Sequence, residues 1–150
     1  MFRVVIPARF GSTRLPGKAL ASIAGHPMVY WSWCRAKESS AAEVVVATDH
    51  EAIASVMADY GADVVMTRAE HPSGTDRLAE VAMLRGWDED DVVVNLQGDE
   101  PLMPAANIEQ VARELLTHPD AAIATLSEPI LNIDDVHNPA VVKVVASDEG

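Results

Sequence analysis

Short runs of β-branched and apolar residues alternate along this chain with stretches of helical periodicity, and that alternation restricts the fold more than any other feature. The runs cover residues 3–6, 43–47, 63–66, 91–96, 121–126 and 141–145. Their near-continuous apolar character is that of parallel strands covered on both faces. Between them, residues 28–37 follow Pro27, a favoured first-turn residue for a helix. From Asp49 onward, Ile53, Val56, Met57 and Tyr60 recur at i, i+3, i+4 and i+7, with Asp49 or His50 placed to cap and Gly61 to stop. A third helix is expected over 73–84, where Ser73 and Asp76 have capping-box spacing. Ile108, Val111, Ala112, Leu115 and Leu116 mark a fourth, ending near Pro119. The βαβα order predicts an α/β fold, a mostly parallel sheet with helices on both faces. Residues 147–150 read as a turn leading onward from a strand, so a longer natural protein is expected.

Charge narrows the function. Residues 1–37 hold six basic residues (Arg3, Arg9, Arg14, Lys18, Arg35 and Lys37) and no acidic one, whereas the whole chain has formal net charge -12. So acidic a chain is poorly suited to coating a nucleic-acid backbone, which calls for many Lys and Arg contacts. Its apolar runs fall far short of the roughly 20 residues that span a bilayer. The apolar stretch before Arg9 is too short for a signal peptide. A single cysteine, Cys34, precludes an intrachain disulfide and fits a reducing cytosol. Between Trp33 and Arg35 in a helix, it reads as a buried, inert thiol. The histidines show neither HxH nor HExxH spacing, which speaks against zinc. No serine-nucleophile motif occurs.

Open α/β sheets bind ligands beyond the carboxyl ends of their strands, and three loops qualify. The first, residues 7–18, follows the first strand and carries Arg9, Gly11, Ser12, Thr13, Arg14, Gly17 and Lys18. Glycines admit close approach of backbone amides to an anion, and the cations supply charge and forked donors. A triphosphate or other polyanion suits this loop; a surface loop with scattered cations is the plainer alternative. It matches neither GxxxxGK[ST] nor GxGxxG. The second loop, residues 95–101, brings Asp99 to the end of a strand, where a carboxylate can hold Mg²⁺ beside phosphate oxygens. Glu100 precedes Pro101 and is held extended, so Asp99 is the better ligand, unless the segment is simply a Gly-Asp turn. The third, residues 71–77, sets hydroxyls and amides at a helix N-terminus, suited to nucleotide polar groups or to capping alone.

These blocks resemble a known family. Residues 6–18, continuing through Ile23-Ala24-Gly25-His26-Pro27-Met28, are similar to the N-terminal signature of sugar cytidylyltransferases. Ala47-Thr48-Asp49-His50 and residues 71–80, 94–101 and 138–145 agree, and together the Ser73-Gly74-Thr75-Asp76-Arg77-Leu78-Ala79-Glu80 and Asn95-Leu96-Gln97-Gly98-Asp99-Glu100-Pro101 blocks narrow the likeness to the 3-deoxy-manno-octulosonate (KDO) cytidylyltransferases. A CMP-sialate or MEP cytidylyltransferase would keep the fold, but the Ser-Gly-Thr-Asp-Arg block argues against both.

The resemblance implies a Rossmann-like nucleotide-diphospho-sugar transferase fold and the reaction CTP + KDO → CMP-KDO + diphosphate with Mg²⁺. It also implies a cytoplasmic homodimer serving lipopolysaccharide synthesis. By motif, Arg9, Arg14 and Lys18 would face the CTP phosphates. Ala8, Ser73 and Gln97 would lie around the cytosine and ribose, and Asp99 would hold the metal. Arg14, Lys18 and Asp99 would be catalytic. Ala19 stands where many members have proline, which bears on loop stiffness more than on chemistry. Members run to about 250 residues, so the 150 residues here would be the CTP-binding part, with most sugar-binding groups and a second metal-binding aspartate lying beyond them.

Overall fold

The computed structural model describes residues 1–11 and 15–145. Four parallel strands form the central sheet: β1 (Phe2–Ala8), β4 (Glu43–Thr48), β5 (Asp63–Met66) and β6 (Val92–Asn95), in the order β5-β4-β1-β6. A two-stranded antiparallel ribbon, β2 (Ser22–Ile23) and β3 (His26–Pro27), turns on Gly25 at φ 85. The mostly parallel sheet with helices on both faces is as the alternation predicts.

β1 is the most enclosed strand, with Val4, Val5 and Ile6 inaccessible to solvent. Its residues alternate between two cores, as strand geometry requires. Val4, Ile6 and Ala8 pack with Val29 and Ala36 of α1 (Met28–Lys37), Ile53 and Met57 of α2 (Glu51–Asp59), and Ile108 and Ala112 of α4 (Ala105–Thr117). Val5 faces the other way, joining Val45 and Ala47 against Leu78 and Val81 of α3 (Gly74–Arg85).

Local signals explain the helices well. α1 starts after Pro27, whose φ of -64 suits helix entry. Of the two caps open for α2, His50 takes the role: its Nδ1 accepts from the Ala52 amide at 3.2 Å. Ser73 caps α3, accepting from the Asp76 amide at 3.2 Å, and Gly86 ends it at φ 64. A short helix, α5 (Ile133–His137), and a 3₁₀ turn over Lys18–Leu20 are additions to the sequence reading.

Two expected strands do not form. Residues 121–126 and 141–145 make no ladder, and Ile123, Val142 and Val145 are largely exposed. A β-rich composition becomes a strand only when neighbouring backbone completes its hydrogen bonds. Residues 122–126 instead lie across an apolar groove from the open edge of β6. The turn expected over 147–150 lies outside the described residues. Cys34 is half-buried rather than buried. Among the described residues, no helix is long and apolar enough to cross a membrane.

Candidate active site

Chain order in the sheet decides where a ligand can sit. From β1 the chain moves to β4 and β5 on one side, then returns to place β6 on the other. The crevice outside the carboxyl ends of β1 and β6 is therefore the topological switch point. A cavity of about 450 Å³ opens there, and its walls include Ala8, Arg9, Gly11, Lys18, Gln97 and Asp99. Five of the expected site residues (Ala8, Arg9, Lys18, Gln97 and Asp99) thus meet in one place, though drawn from loops some 80 positions apart, as Lys18 and Asp99 are 81 apart in sequence. Arg14 lies outside the described residues. Ser73 does not line the cavity: its hydroxyl donates to Asp76 Oδ2 at 2.5 Å while capping α3, and Gly74 beside it forms the wall.

The cation loop is built to bring its ends together. Gly17 adopts φ 68, a left-handed conformation that glycine takes without strain. Its amide donates to the Phe10 carbonyl at 2.9 Å, bringing Gly17 and Phe10 together. Arg9 immediately precedes that closure and Lys18 immediately follows it, so both reach the same cavity. Lys18 Nζ meets Asp99 Oδ2 at 2.5 Å, which sets the cation and the acidic residue face to face.

The wall from β6 is fixed from behind. The hydroxyl of Ser32, buried on α1, donates to the Gly98 carbonyl at 3.1 Å. A Cβ on Gly98 would stand 3.0 Å from the Pro7 carbonyl oxygen, so β1 and the Gln97–Asp99 turn touch backbone to backbone. Gln97 donates to Asn95 Oδ1 at 3.1 Å, orienting its amide. The loop before α3 is held by Glu80, which accepts from the Arg68 amide at 2.9 Å and bonds His71 Nε2 at 2.5 Å. The His71 hydrogen bond, aided by the Arg68 amide, holds the Glu80 carboxyl below the usual carboxylate range.

Not all of the amino-terminal charge serves this site. Arg3 lies at the opposite end of β1, paired with Glu43 at 2.8 Å and Asp91 at 2.5 Å; the Asp91 carboxylate, ahead of Glu43, raises its pKa most. Arg35 pairs with Glu38 on the surface of α1. Sequence reading also left a buried network out of the site. Arg77 is wholly inaccessible, bonded to Asp49 Oδ2 at 2.9 Å and to the Thr67 hydroxyl. Asp49 Oδ1 in turn accepts from the Phe10 amide at 3.3 Å. The signal available was the pair of blocks containing Asp49 and Arg77, but nothing in their spacing joins them.

Arg9 and Lys18 face the Gln97–Asp99 turn across this switch-point crevice, and the cytidylyltransferase family pattern matches residues 3–150. The chain belongs to the cytidylyltransferase family. Within it, the 3-deoxy-manno-octulosonate cytidylyltransferase of Alkalilimnicola ehrlichii is 55% identical over 149 residues, covering 99% of this chain and 58% of that protein. The enzyme of the same name from Pseudomonas fluorescens is 54% identical, covering 99% of this chain and 59% of that protein. This cytidylyltransferase chain therefore spans a little under three-fifths of the curated relatives it matches. Among solved structures, CMP:2-keto-3-deoxy-manno-octonic acid synthetase complexed with CTP superposes with TM-score 0.73 at 41% identity. That match covers 79% of this chain and 49% of the other. The resemblance to the KDO enzymes drawn from the sequence blocks is thus borne out, as is the Rossmann-like fold.

Proposed function

We propose that this chain is the CTP-binding part of a 3-deoxy-manno-octulosonate cytidylyltransferase, catalysing CTP + KDO → CMP-KDO + diphosphate for lipopolysaccharide synthesis. The whole enzyme would be a cytoplasmic homodimer. The observation that carries the reading is the convergence of Arg9, Lys18, Gln97 and Asp99 on one cavity at the carboxyl ends of β1 and β6.

The chemistry follows from that convergence. The sugar's 2-hydroxyl oxygen bonds to the α-phosphorus of CTP in line with the bond to the bridging oxygen, which breaks. The hydroxyl proton passes to water, and the electron pair of the broken bond leaves with diphosphate. No covalent enzyme intermediate is required; positioning and charge neutralisation carry the rate. Lys18 and Arg9, and Arg14 from the same loop, neutralise charge growing on the departing diphosphate. Ala8, Gln97 and Gly74, the first residue of α3, border the nucleoside.

Magnesium suits the donor set. Among the described residues no group of three or more His, Cys, Asp or Glu side chains converges. One carboxylate, Asp99, supplemented by substrate phosphate oxygens, is how Mg²⁺ is commonly held. When bound there it supplies charge neutralisation at the α-phosphate.

The test is diphosphate release by the full-length protein from each of the four nucleoside triphosphates, with and without KDO. Release that needs both CTP and KDO supports the reading; release from another triphosphate, or without KDO, overturns it. In Asp99→Asn, turnover should be lost at every magnesium concentration. Normal activity over that titration would remove Asp99 from the mechanism.

A further inference from the structure

Arg77 is a full positive charge with no solvent exposure, and the Asp49 side chain that meets it is only 11% exposed. An ion pair is a poor choice for stability alone, because well-packed apolar residues of similar volume commonly do as well or better. Arg77 Nε has no hydrogen-bond partner among the described residues, which weakens the case for a purely stabilising role further. What an apolar pair lacks is direction. Asp49 receives Arg77 on Oδ2 at 2.9 Å and turns Oδ1 to the Phe10 amide at 3.3 Å. Arg77 also donates to the Thr67 hydroxyl, which donates to the Thr48 carbonyl at 3.1 Å. The ends of β4 and β5, the first turns of α3 and the loop after β1 are joined through one guanidinium.

Phe10 is the point at which this network meets the site. Its carbonyl takes the Gly17 amide that closes the cation loop, and its ring stacks on His50 at 3.8 Å and 11°. Amide, carbonyl and ring are thus each held by a different partner, and Arg9 and Lys18 stand on either side of the closure. We infer that Asp49 and Arg77 are positioning residues: through the Phe10 amide they fix Arg9 and Lys18, on either side of the Phe10–Gly17 contact, where these meet the nucleotide's outer phosphates. This rests on the nucleotide reading of the cavity. Neither residue lines the cavity, and the pair acts by pre-organising Arg9 and Lys18, whose placement would otherwise be a cost of binding.

A positioning role makes a selective demand. Disturbing the pair should weaken ligands in proportion to the phosphates they present to the loop, whereas a merely structural pair would weaken all ligands alike. The experiment is titration calorimetry of CTP and of CMP, each with Mg²⁺, against the intact protein and its Asp49→Ala, Asp49→Asn and Arg77→Lys variants, with a thermal melt of each. For Asp49→Ala we expect CTP affinity to fall about 10- to 100-fold and CMP affinity less than about threefold. Asp49→Asn keeps an oxygen for the Phe10 amide and should lie between wild type and Asp49→Ala. An unchanged CTP-to-CMP affinity ratio in a folded variant overturns the inference. Should Asp49→Ala fail to fold, the same ratio in Asp49→Asn and Arg77→Lys decides. Wild-type protein that does not bind CTP overturns the nucleotide reading itself, and this inference with it; wild-type binding with unchanged variant ratios overturns this inference alone.

Discussion

The Lys18–Asp99 ion pair spans 2.5 Å, with side chains 40% and 47% exposed, and that exposure sets what Lys18→Ala can take from the fold. Pairs this open to water contribute about 0–1 kcal/mol, since the Coulomb gain is screened and two side chains must be held still. A loss of that size lowers Tm by only about 2–4 °C in a chain of this length. In the proposed mechanism the same ammonium would face charge developing on diphosphate, beside Arg9. Removing one such preorganised donor costs about 10²–10³ in kcat, or about 3–4 kcal/mol of barrier. Lys18→Ala should therefore separate two quantities that most mutations move together. The assay is diphosphate release by the full-length protein at saturating CTP and KDO, beside a urea melt of the same preparation. Turnover within about threefold of wild type would refute the role, as would an unfolding loss large enough to explain the missing activity.

Other substitutions probe the supports of the site. Gly98→Ala would press a methyl against the Pro7 carbonyl at 3.0 Å, and should cost about 1–3 kcal/mol in a denaturant melt while weakening CTP binding by calorimetry. Ser73→Ala deletes the α3 cap and should cost about 1 kcal/mol, read by chemical denaturation. Glu80→Gln gives a pH signature. Because folding lowers the Glu80 pKa, its contribution is fully present above the unfolded-state carboxylate pKa and disappears as pH falls through the folded value. The stability gap between wild type and Glu80→Gln should thus be constant at neutral pH and close in acid; a gap that widens in acid would refute the assignment.

Much of this architecture is legible in local sequence. α1 occupies residues 28–37 as its entry proline and periodicity predict, and the capping spacing of Ser73 and Asp76 is realised in α3. The cation loop is legible too, because density of charge and glycine after a strand survives without knowledge of neighbours. What escapes is whatever depends on distant partners. Ser32 looks like an ordinary helix-face serine until Gly98, 66 residues away, is placed against it. Asp49 reads as a possible helix cap, yet that role falls to His50, and its carboxylate spans Phe10 and Arg77. Residues 121–126 have strand composition without a ladder, since pairing is a property of two segments and not of one. Their exposure leaves the groove along β6 open on this chain.

The position of β1 has a dynamic consequence. Its backbone is bonded on one side to β4 and on the other to β6, while its side chains feed both cores. Amides so placed exchange with solvent only when the whole domain opens, whereas peripheral segments exchange through local fraying. Hydrogen exchange should accordingly be slowest at Val4–Ile6 and fastest over residues 118–145, where ladders are absent. The cation loop grows directly from the slowest-opening strand. Its root is as durable as the domain, so the edges of the molecule can breathe, or be altered, without loosening the ground on which Arg9 stands.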